Sequence, residues 1–174
     1  MNDSKNGMAE NCESAGAIYP ELNLPPAELH IKKEPGGQTR IYDCCRERWV
    51  SLTPEEWVRQ RFVAMLKSTL GYPGSRIGNE IGLRFNGMIR RCDTVVYDRC
   101  ASPSVIVEYK APSVAISQKT FDQIARYNMV LGVRFLIVSN GMQHYCCEMR
   151  TDGSYAFRRE LPRWEEVDGG SQTL

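Results

Sequence analysis

Apolar positions recur with a helical period in two stretches of the chain. The first runs through Trp57, Val58, Phe62, Met65, Leu66 and Leu70 and stops at Gly71. Thr53, Pro54 and Glu56 stand before it at the N-cap, first and third helical positions, the arrangement of a capping box. The second stretch covers about residues 118–131 and ends at Gly132. We therefore predict two helices over these stretches.

Shorter segments with alternating or continuous apolar residues predict strands. Between residues 28 and 50 we expect a short strand, a Gly36-Gly37 turn and a second strand near residues 40–43. Further strands are expected at about 76–85, 93–98, 105–110, 133–139, 143–149 and 155–160. Three of the connections are turn dipeptides: Asn86-Gly87, Asn140-Gly141 and Asp152-Gly153. This order of elements predicts an α/β fold with a mixed central sheet flanked by helices.

The two ends of the chain lack such periodicity. Residues 1–24 are rich in Asn, Ser, Gly and Glu, and we expect them to form a disordered acidic tail ending at Pro25-Pro26. Residues 25–166 are expected to form a single domain, and residues 167–174 a flexible C-terminal tail.

Charge is distributed unevenly along the chain. The net charge is +1, which by itself does not indicate a nucleic-acid partner. Residues 30–91, however, carry twelve Lys and Arg against six Asp and Glu. A basic stretch within a neutral protein permits a phosphate-binding face, and a solvated face of mixed charge is the alternative.

Cysteine usage argues against zinc modules and disulfide scaffolds. The seven cysteines include two adjacent pairs and no Cys-x-x-Cys, and neither His30 nor His144 stands at a zinc-ligand spacing. Reduced thiols in a cytoplasmic protein are therefore expected. No apolar run approaches the ~20 residues needed to cross a bilayer, and no signal peptide opens the chain, so no membrane partner is expected.

One short pattern carries candidate chemistry. Glu108 and Lys110 follow an apolar strand and share one of its faces, while Asp93 begins the preceding strand. A hairpin through residues 99–104 would bring Asp93 within ~5–8 Å of both. Two carboxylates can hold Mg²⁺ or Mn²⁺, and an adjacent ammonium can orient a water or neutralise phosphoryl oxygens. An ion pair at a strand end is the alternative interpretation.

Five segments in order carry a family resemblance: LTPEEWVRQ (52–60), RCDTVVY (91–97), VEYKAP (107–112), FDQIARYN (121–128) and VSNG (138–141). Over about residues 40–162 the chain resembles the N-terminal nuclease domain of type I restriction enzyme R (HsdR) subunits. More broadly, it is similar to the PD-(D/E)XK restriction-endonuclease-like superfamily. It departs from the common pattern at Cys92, where proline often precedes the first acid.

The resemblance implies a restriction-endonuclease-like fold and a magnesium-dependent endodeoxyribonuclease. It implies that Asp93 and Glu108 bind Mg²⁺ (or Mn²⁺) and that Lys110 is catalytic. Gln123 and Tyr127 match a Gln-x-x-x-Tyr helix motif of related nucleases, which adds them to the expected catalytic set. They stand four residues apart, so they share a helix face in any case.

Other residues have both a functional and a structural interpretation. Glu56 matches the first-helix acid of some family members, and its capping-box position explains it equally. Glu80 faces either the site or water. Five arginines are candidate phosphate contacts: Arg46, Arg48, Arg59, Arg90 and Arg91. The thiol-rich segment 144–147 lacks a base and a third partner at a suitable spacing, so it is interpreted as a buried strand.

The expected partners are DNA and proteins that supply specificity or a motor. The chain has no Gly-x-x-x-x-Gly-Lys-Ser/Thr phosphate loop, so no ATP-driven motor is expected within it. A non-catalytic DNA-binding or assembly module that keeps the nuclease fold is the main rival function. A nuclease acting on single strands or RNA is a third.

Overall fold

The structure, a computed structural model, describes residues 19–85 and 87–169, and within them it contains nine strands and three α-helices. In chain order these are β1 (Ile31–Lys33), β2 (Thr39–Asp43), β3 (Arg48–Ser51), α1 (Pro54–Ser68), β4 (Ile77–Phe85), β5 (Met88–Tyr97), β6 (Pro103–Tyr109), α2 (Gln118–Leu131), β7 (Phe135–Ser139), β8 (His144–Met149), β9 (Tyr155–Arg158) and α3 (Trp164–Asp168). None of these helices has the length and apolar character needed to cross a membrane.

The strands form two sheets. The first three make a small antiparallel sheet in the order β1-β2-β3, and the other six make a sheet in the order β4-β5-β6-β7-β8-β9. Neighbours in the larger sheet are antiparallel except β6 and β7, which are parallel. A parallel pair needs a crossover connection, and α2 supplies it. The mixed sheet confirms the predicted α/β class.

Helices cover both faces of the six-stranded sheet. On one face α1 packs against the sheet through Val58, Phe62 and Leu66, which contact a cluster containing Val105, Val107 and Phe135. On the other face Ile124 and Tyr127 of α2 join Val95, Ile106 and Val138. The central strands β6 and β7 are therefore buried on both sides. Strands that are buried on both faces have continuous apolar sequences, as β6 and β7 do here.

Most predicted elements appear at their expected positions. The second predicted helix matches α2, which ends at Gly132 with a left-handed φ of 60°. The predicted turn at Asn86-Gly87 joins β4 and β5, which pair up to Phe85 and Met88, although Asn86 itself lies outside the described residues. β3 and α3 were not predicted. β3 has no alternating burial, and α3 is only five residues long, so neither gives a periodic signal.

The N-terminal boundary needs correction. Residues 19–24, here called the N-terminal strap, pack on the folded core. The Tyr19 ring stacks on Trp57 with 5.9 Å between ring centroids. The backbone N–H of Asn23 donates to the Gly141 carbonyl at 2.8 Å, and the Asn23 carbonyl lies 2.9 Å from His144 Nε2. The domain therefore includes the strap, whereas residues 1–18 of the expected tail lie outside the described part of the chain.

Gly141 shows how closely the strap fits. Its φ is +81°, and a Cβ built at this position would lie 2.7 Å from the Leu22 side chain. Glycine is therefore required here both for the backbone conformation and for the space that Leu22 fills. Sequence alone showed the turn, and the structure adds that the strap lies against it.

The C-terminal boundary also lies later than expected. Val167 is buried, and the Asp168 carboxylate accepts hydrogen bonds from the Arg99 backbone and guanidinium. The fold therefore continues through residue 168, and residues 170–174 lie outside the described residues. A single buried valine within five residues produces no periodicity from which this contact is predictable.

Deleting the strap is expected to destabilise the domain. Removal of residues 1–24 loses the burial of Leu24, worth ~1.5–3 kcal/mol, together with the Tyr19 and Asn23 contacts. We expect a melting temperature roughly 5 °C or more below that of a variant lacking only residues 1–18. Thermal denaturation of the two deletion variants measures this difference. Equal melting temperatures would show that the strap contributes nothing.

Candidate active site

The pairing between β5 and β6 ends inside the six-stranded sheet, and acidic residues follow at that point. The last paired residues are Thr94 and Val107. One position further, the Asp93 side chain accepts the backbone N–H of Tyr109 through Oδ2 at 2.8 Å. A carboxylate oxygen thus satisfies a strand N–H that would otherwise need a ladder partner. Asp93 and Glu108 consequently lie next to each other where the sheet opens.

Glu108 is held through one of its two carboxylate oxygens. Its Oε1 accepts from Lys110 Nζ at 2.8 Å and from Gln123 Nε2 at 2.6 Å. Among the described residues no hydrogen bond is made to Oε2. The residue is only 3% exposed. The side chain is therefore fixed in orientation while one oxygen stays available for a further ligand.

Lys110 lies at the end of β6, where its backbone N–H donates to the Ser139 carbonyl of β7 at 2.9 Å. Burial acts to lower the pKa of Lys110, but the hydrogen bond and the negative charge of Glu108 outweigh it and raise the pKa. Glu55 and Asp93 act in the same direction. The side chain, 22% exposed, is therefore a fixed positive charge beside the acids.

The α2 residues reach the site unequally. Gln123 donates directly to Glu108, as described above, and its Nε2 lies 3.5 Å from the Tyr127 hydroxyl. Tyr127 is nearly buried in the core cluster on that face of the sheet. Its contact with the acids is therefore indirect, through Gln123. The spacing of four residues places both side chains on the face of α2 that meets β6.

A buried guanidinium on the opposite helix connects the acids. Arg59 of α1 forms ion pairs with three carboxylates, which are Glu56 Oε2 at 2.5 Å, Glu80 Oε1 at 2.7 Å and Asp93 Oδ1 at 3.0 Å. Its side chain is 5% exposed. Arg59 is thus committed to the interior of the site and is not a surface contact for phosphates, which corrects one of the two interpretations above.

Glu80 is held in a strained backbone conformation. It stands within β4 with a φ of 58°, between the paired residues Asn79–Thr94 and Ile81–Cys92. A non-glycine residue in this region costs on the order of 1–3 kcal/mol, which the surrounding contacts must offset. The carboxylate is thereby directed to Arg59, and its other oxygen accepts from Arg91 at 2.9 Å. Glu80 was expected to face either the site or water, and it faces the site.

The predicted capping box forms only in half. Thr53 Oγ1 accepts the Glu56 backbone N–H at 3.1 Å, as expected for an N-cap. The Glu56 side chain does not return the bond to Thr53. It accepts instead from Arg46, Arg59 and Gln60. Glu56 is therefore a buried anchor for two arginines and not an acid open to a ligand.

The neighbouring Glu55 was not among the predicted site residues. Burial and the charge of Asp93 raise the pKa of Glu55, while Lys110 and Arg59 act to lower it. Glu55 in turn contributes to raising the pKa of Glu108. The first-helix acid in electrostatic contact with the open site is thus Glu55. The sequence shows only an adjacent Glu-Glu pair, and the 100° turn per helical residue gives its two members different surroundings.

The site holds more negative than positive charge. Burial and the nearby Asp93 raise the pKa of Glu108 to about 7. Burial likewise raises the pKa of Asp93 despite its ion pair with Arg59. Glu55 and Glu80 add two more carboxylates, which makes four against the three cations Arg59, Lys110 and the exposed Arg91. An additional cation would therefore be stabilised here.

The donor atoms suit a hard divalent cation. Carboxylate oxygens are the protein ligands that Mg²⁺ and Mn²⁺ prefer, and Mg²⁺ keeps several waters when few protein ligands are available. Within residues 19–85 and 87–169 no group of three or more His, Cys, Asp or Glu side chains is arranged to hold a metal ion. The predicted pair Asp93 and Glu108 supplies carboxylate oxygens of the kind that such an ion prefers.

The candidate arginines divide into interior and exposed groups. Arg46 pairs with Asp43 and Glu56, and so belongs, like Arg59, to the buried network. The other three, Arg48 on β3 and Arg90 and Arg91 on β5, are exposed. Only these exposed side chains are accessible to a phosphate without disrupting the fold.

The thiol-rich segment lies in strand β8, as interpreted from sequence, although Tyr145 within it is exposed. Cys146 and Cys147 are buried. Burial raises the pKa of Cys146 to about 12, so its thiolate is not formed near neutral pH.

Comparisons with known proteins agree with this architecture. No curated protein gives a significant sequence match to the chain. Among solved structures, the chain is similar to a fragment described as an HsdR subunit of a type I restriction enzyme from Vibrio vulnificus YJ016. That match has a TM-score of 0.50 and 21% identity and covers 67% of this chain but 24% of the other. The sequence profile of the type I restriction enzyme R protein N terminus (HSDR_N) matches residues 54–162. The chain therefore belongs to the family of type I restriction enzyme R protein N-terminal domains.

Proposed function

We propose that this domain is a nuclease that hydrolyses DNA phosphodiester bonds with Mg²⁺ or Mn²⁺ as cofactor. The observation that carries the proposal is the cluster of Asp93, Glu108 and Lys110 where β5 and β6 separate, with surplus negative charge around it. Family membership supports the same reaction class. Any motor or sequence specificity would be supplied outside residues 1–174, since these contain no nucleotide phosphate loop.

Asp93 and Glu108 would hold the metal, which lowers the pKa of a bound water and offsets charge on the phosphate when it is present. Glu108 offers Oε2, because Oε1 is taken by Lys110 and Gln123. Asp93 is oriented by Arg59 and by the Tyr109 N–H. Both carboxylates are therefore preorganised, which reduces the reorganisation needed at the moment of reaction.

Lys110 would act on the phosphate or the attacking water, and Gln123 would position Lys110. The ammonium stays protonated, since its pKa is raised, and it can stabilise negative charge that develops on phosphoryl oxygens. Gln123 fixes the same Glu108 oxygen that Lys110 binds. Glu55, whose pKa is raised by burial and by the charge of Asp93, is a candidate acceptor for a proton from the attacking water.

Strand cleavage tests the proposal. Supercoiled plasmid should be nicked with Mg²⁺ or Mn²⁺ and left intact with EDTA. The isosteric variants Asp93→Asn and Glu108→Gln should each lower the nicking rate by ~10³-fold or more, since each removes a metal ligand. Glu160→Gln, an exposed acid remote from the site, is the matched control. Cleavage in EDTA, or full activity in the ligand variants, would refute the assignment.

Metal binding should depend on pH through Glu108. Its pKa of about 7 in the folded protein means that a proton must leave before a cation binds at lower pH. Affinity for Mn²⁺ should therefore rise by about tenfold per pH unit below the pKa and level off above it. Calorimetric titration in buffers of different protonation enthalpy measures both affinity and proton release. A constant affinity across that range would contradict the role of Glu108.

A non-catalytic assembly module is the rival function, and an exposed apolar surface favours it. Met129, Tyr155 and Phe157 are exposed around a groove between α2 and the β8–β9 edge. Thermal shift separates the two functions. Stabilisation of the wild-type chain by Mn²⁺ that is lost in Asp93→Ala supports the nuclease, whereas an absence of any shift supports assembly alone.

A further inference from the structure

The part of the β4–β5 hairpin beyond the site, residues 81–92, forms a ribbon of only two strands. Its residues pair with each other from Ile81–Cys92 to Phe85–Met88. β4 is the edge of the sheet, and the described pairing of β5 with β6 stops at Thr94. One face of this β4–β5 ribbon packs on the core beside α2 through Leu83, Cys92 and Ile81. The other face is open.

The open face starts at the candidate active site. The register skips Glu80 and Asp93, which both bond Arg59, and continues along the ribbon with Gly82–Arg91 and then Arg84–Ile89. The Glu80 carboxylate accepts from Arg91, so the row begins beside the site. Opposed residues share a face and alternate pairs lie on the same side, so these side chains form one row. Exposure agrees, since the Arg91 side chain is 70% exposed and Ile89 is 75% exposed.

We propose that the open face of the β4–β5 ribbon binds the backbone of a DNA duplex next to the phosphate that is cut, with Arg84 and Arg91 contacting phosphates. This inference rests on the proposed nuclease function. Residues 81–92 contain three arginines and no acidic residue. Arg84 and Arg90 have no ion-pair partner among the described residues. The charge of the ribbon is therefore complementary to a phosphate backbone.

The ribbon's dimensions suit the same partner. Positions two apart along a strand are ~7 Å apart, so Arg91 and Arg84 stand one and two such steps from Asp93 along the row. A two-stranded ribbon also fits the major groove of a duplex. Ile89 at the outer end of the row would lie against the apolar faces of sugars or bases. On binding, Arg91 would either replace its bond to Glu80 by one to a phosphate or bond both groups.

Gly82 provides an independent argument. A Cβ at this position would meet only the Ile89 side chain, at 3.8 Å, so packing within the chain does not require glycine there. Glycine inside a strand costs stability, and it often marks a place where a ligand or another backbone approaches closely. Gly82 lies opposite Arg91 and two residues from Arg84, so its bare backbone adjoins both arginines where a phosphate backbone would approach.

Duplex binding without cleavage tests the ribbon. Fluorescence anisotropy of a short labelled duplex is measured with the full chain in EDTA over a series of salt concentrations. Compared with the wild type, Arg84→Ala/Arg91→Ala should bind at least ~10-fold more weakly, with a salt dependence reduced by about two ions. Arg84→Lys/Arg91→Lys should keep most of that salt dependence, because the charges remain. Arg150→Ala/Arg159→Ala, at the opposite edge of the sheet, removes equal charge as a control.

The outcomes separate this inference from the proposed function. Wild-type and alanine variants that bind the duplex equally, or a wild type that does not bind it, would overturn the ribbon's role. Nicking by the same proteins with Mg²⁺ is read independently. Cleavage that is unaffected by the alanine substitutions refutes the ribbon while leaving the nuclease intact. Arginine-dependent binding without any metal-dependent nicking refutes the nuclease and retains the ribbon as a DNA-binding surface.

Discussion

Replacing Lys110 with alanine is expected to strengthen metal binding and to slow strand cleavage by ~100-fold or more. The ammonium lies 2.8 Å from a Glu108 oxygen, so it repels any cation that binds the same carboxylate. Its removal should therefore raise Mn²⁺ affinity. The rate should fall because a charge that stabilises the transition state is lost. Opposite changes in affinity and rate are the signature of a catalytic lysine.

The conditions of this experiment follow from the site's electrostatics. Lys110 lowers the pKa of Glu108, which stands at about 7, so the variant holds its proton more tightly. Affinity should be measured by calorimetry well above that pH, where Glu108 is ionised in both proteins. Lys119→Ala, an exposed lysine in the first turn of α2, is the matched control. If Lys110 served only as an ion-pair partner of the buried Glu108, its replacement would lower stability and leave nicking unchanged.

Replacing Arg59 with alanine is expected to produce the largest loss of stability. The guanidinium is the shared partner of Glu56, Glu80 and Asp93 and is almost inaccessible to solvent. Its removal leaves three carboxylates with a buried partner missing, and breaking a buried charge pair typically costs ~3–5 kcal/mol. Urea denaturation measures this as a fall in the free energy of unfolding. Arg48→Ala, an exposed arginine on β3, should change it by no more than ~0.5 kcal/mol.

The pH dependence gives the Arg59 prediction a second readout. Burial already raises the pKa of Asp93, and loss of the Arg59 charge raises it further, so the folded variant holds a proton that the unfolded chain releases. The stability of the variant should therefore be recovered as pH falls through this raised pKa and lost as pH rises to neutrality. The gap to the wild type should be widest near neutral pH. A variant as stable as Arg48→Ala at neutral pH would show that the network does not contribute.

Substitution by lysine separates charge from geometry at the same position. A lysine carries the charge but not the planar fork that meets several carboxylates at once. Arg59→Lys should therefore recover only part of the lost stability. Full recovery would mean that a single positive charge suffices and that the three-way contact has no further role.

The sequence determined the elements whose signals are local. α2 follows from its apolar period and from Gly132, and the β4–β5 turn follows from Asn86-Gly87. The alternation of strand side chains also put Glu108 and Lys110 on one face. These features depend on interactions between residues a few positions apart, so they can be predicted without knowledge of the rest of the chain. The shared face of Gln123 and Tyr127 is of the same kind.

The tertiary structure decided which residues meet the site. Glu55 interacts electrostatically with the Asp93 carboxylate whereas Glu56 is bonded to two arginines, because the rotation of α1 gives adjacent residues different surroundings. Arg59 meets Asp93 across 34 positions of sequence, and the strap reaches Gly141 across more than a hundred. Charge and composition do not distinguish a buried arginine from an exposed one. The difference arises from packing, since only the folded chain determines which charges lose their water and which partners replace it.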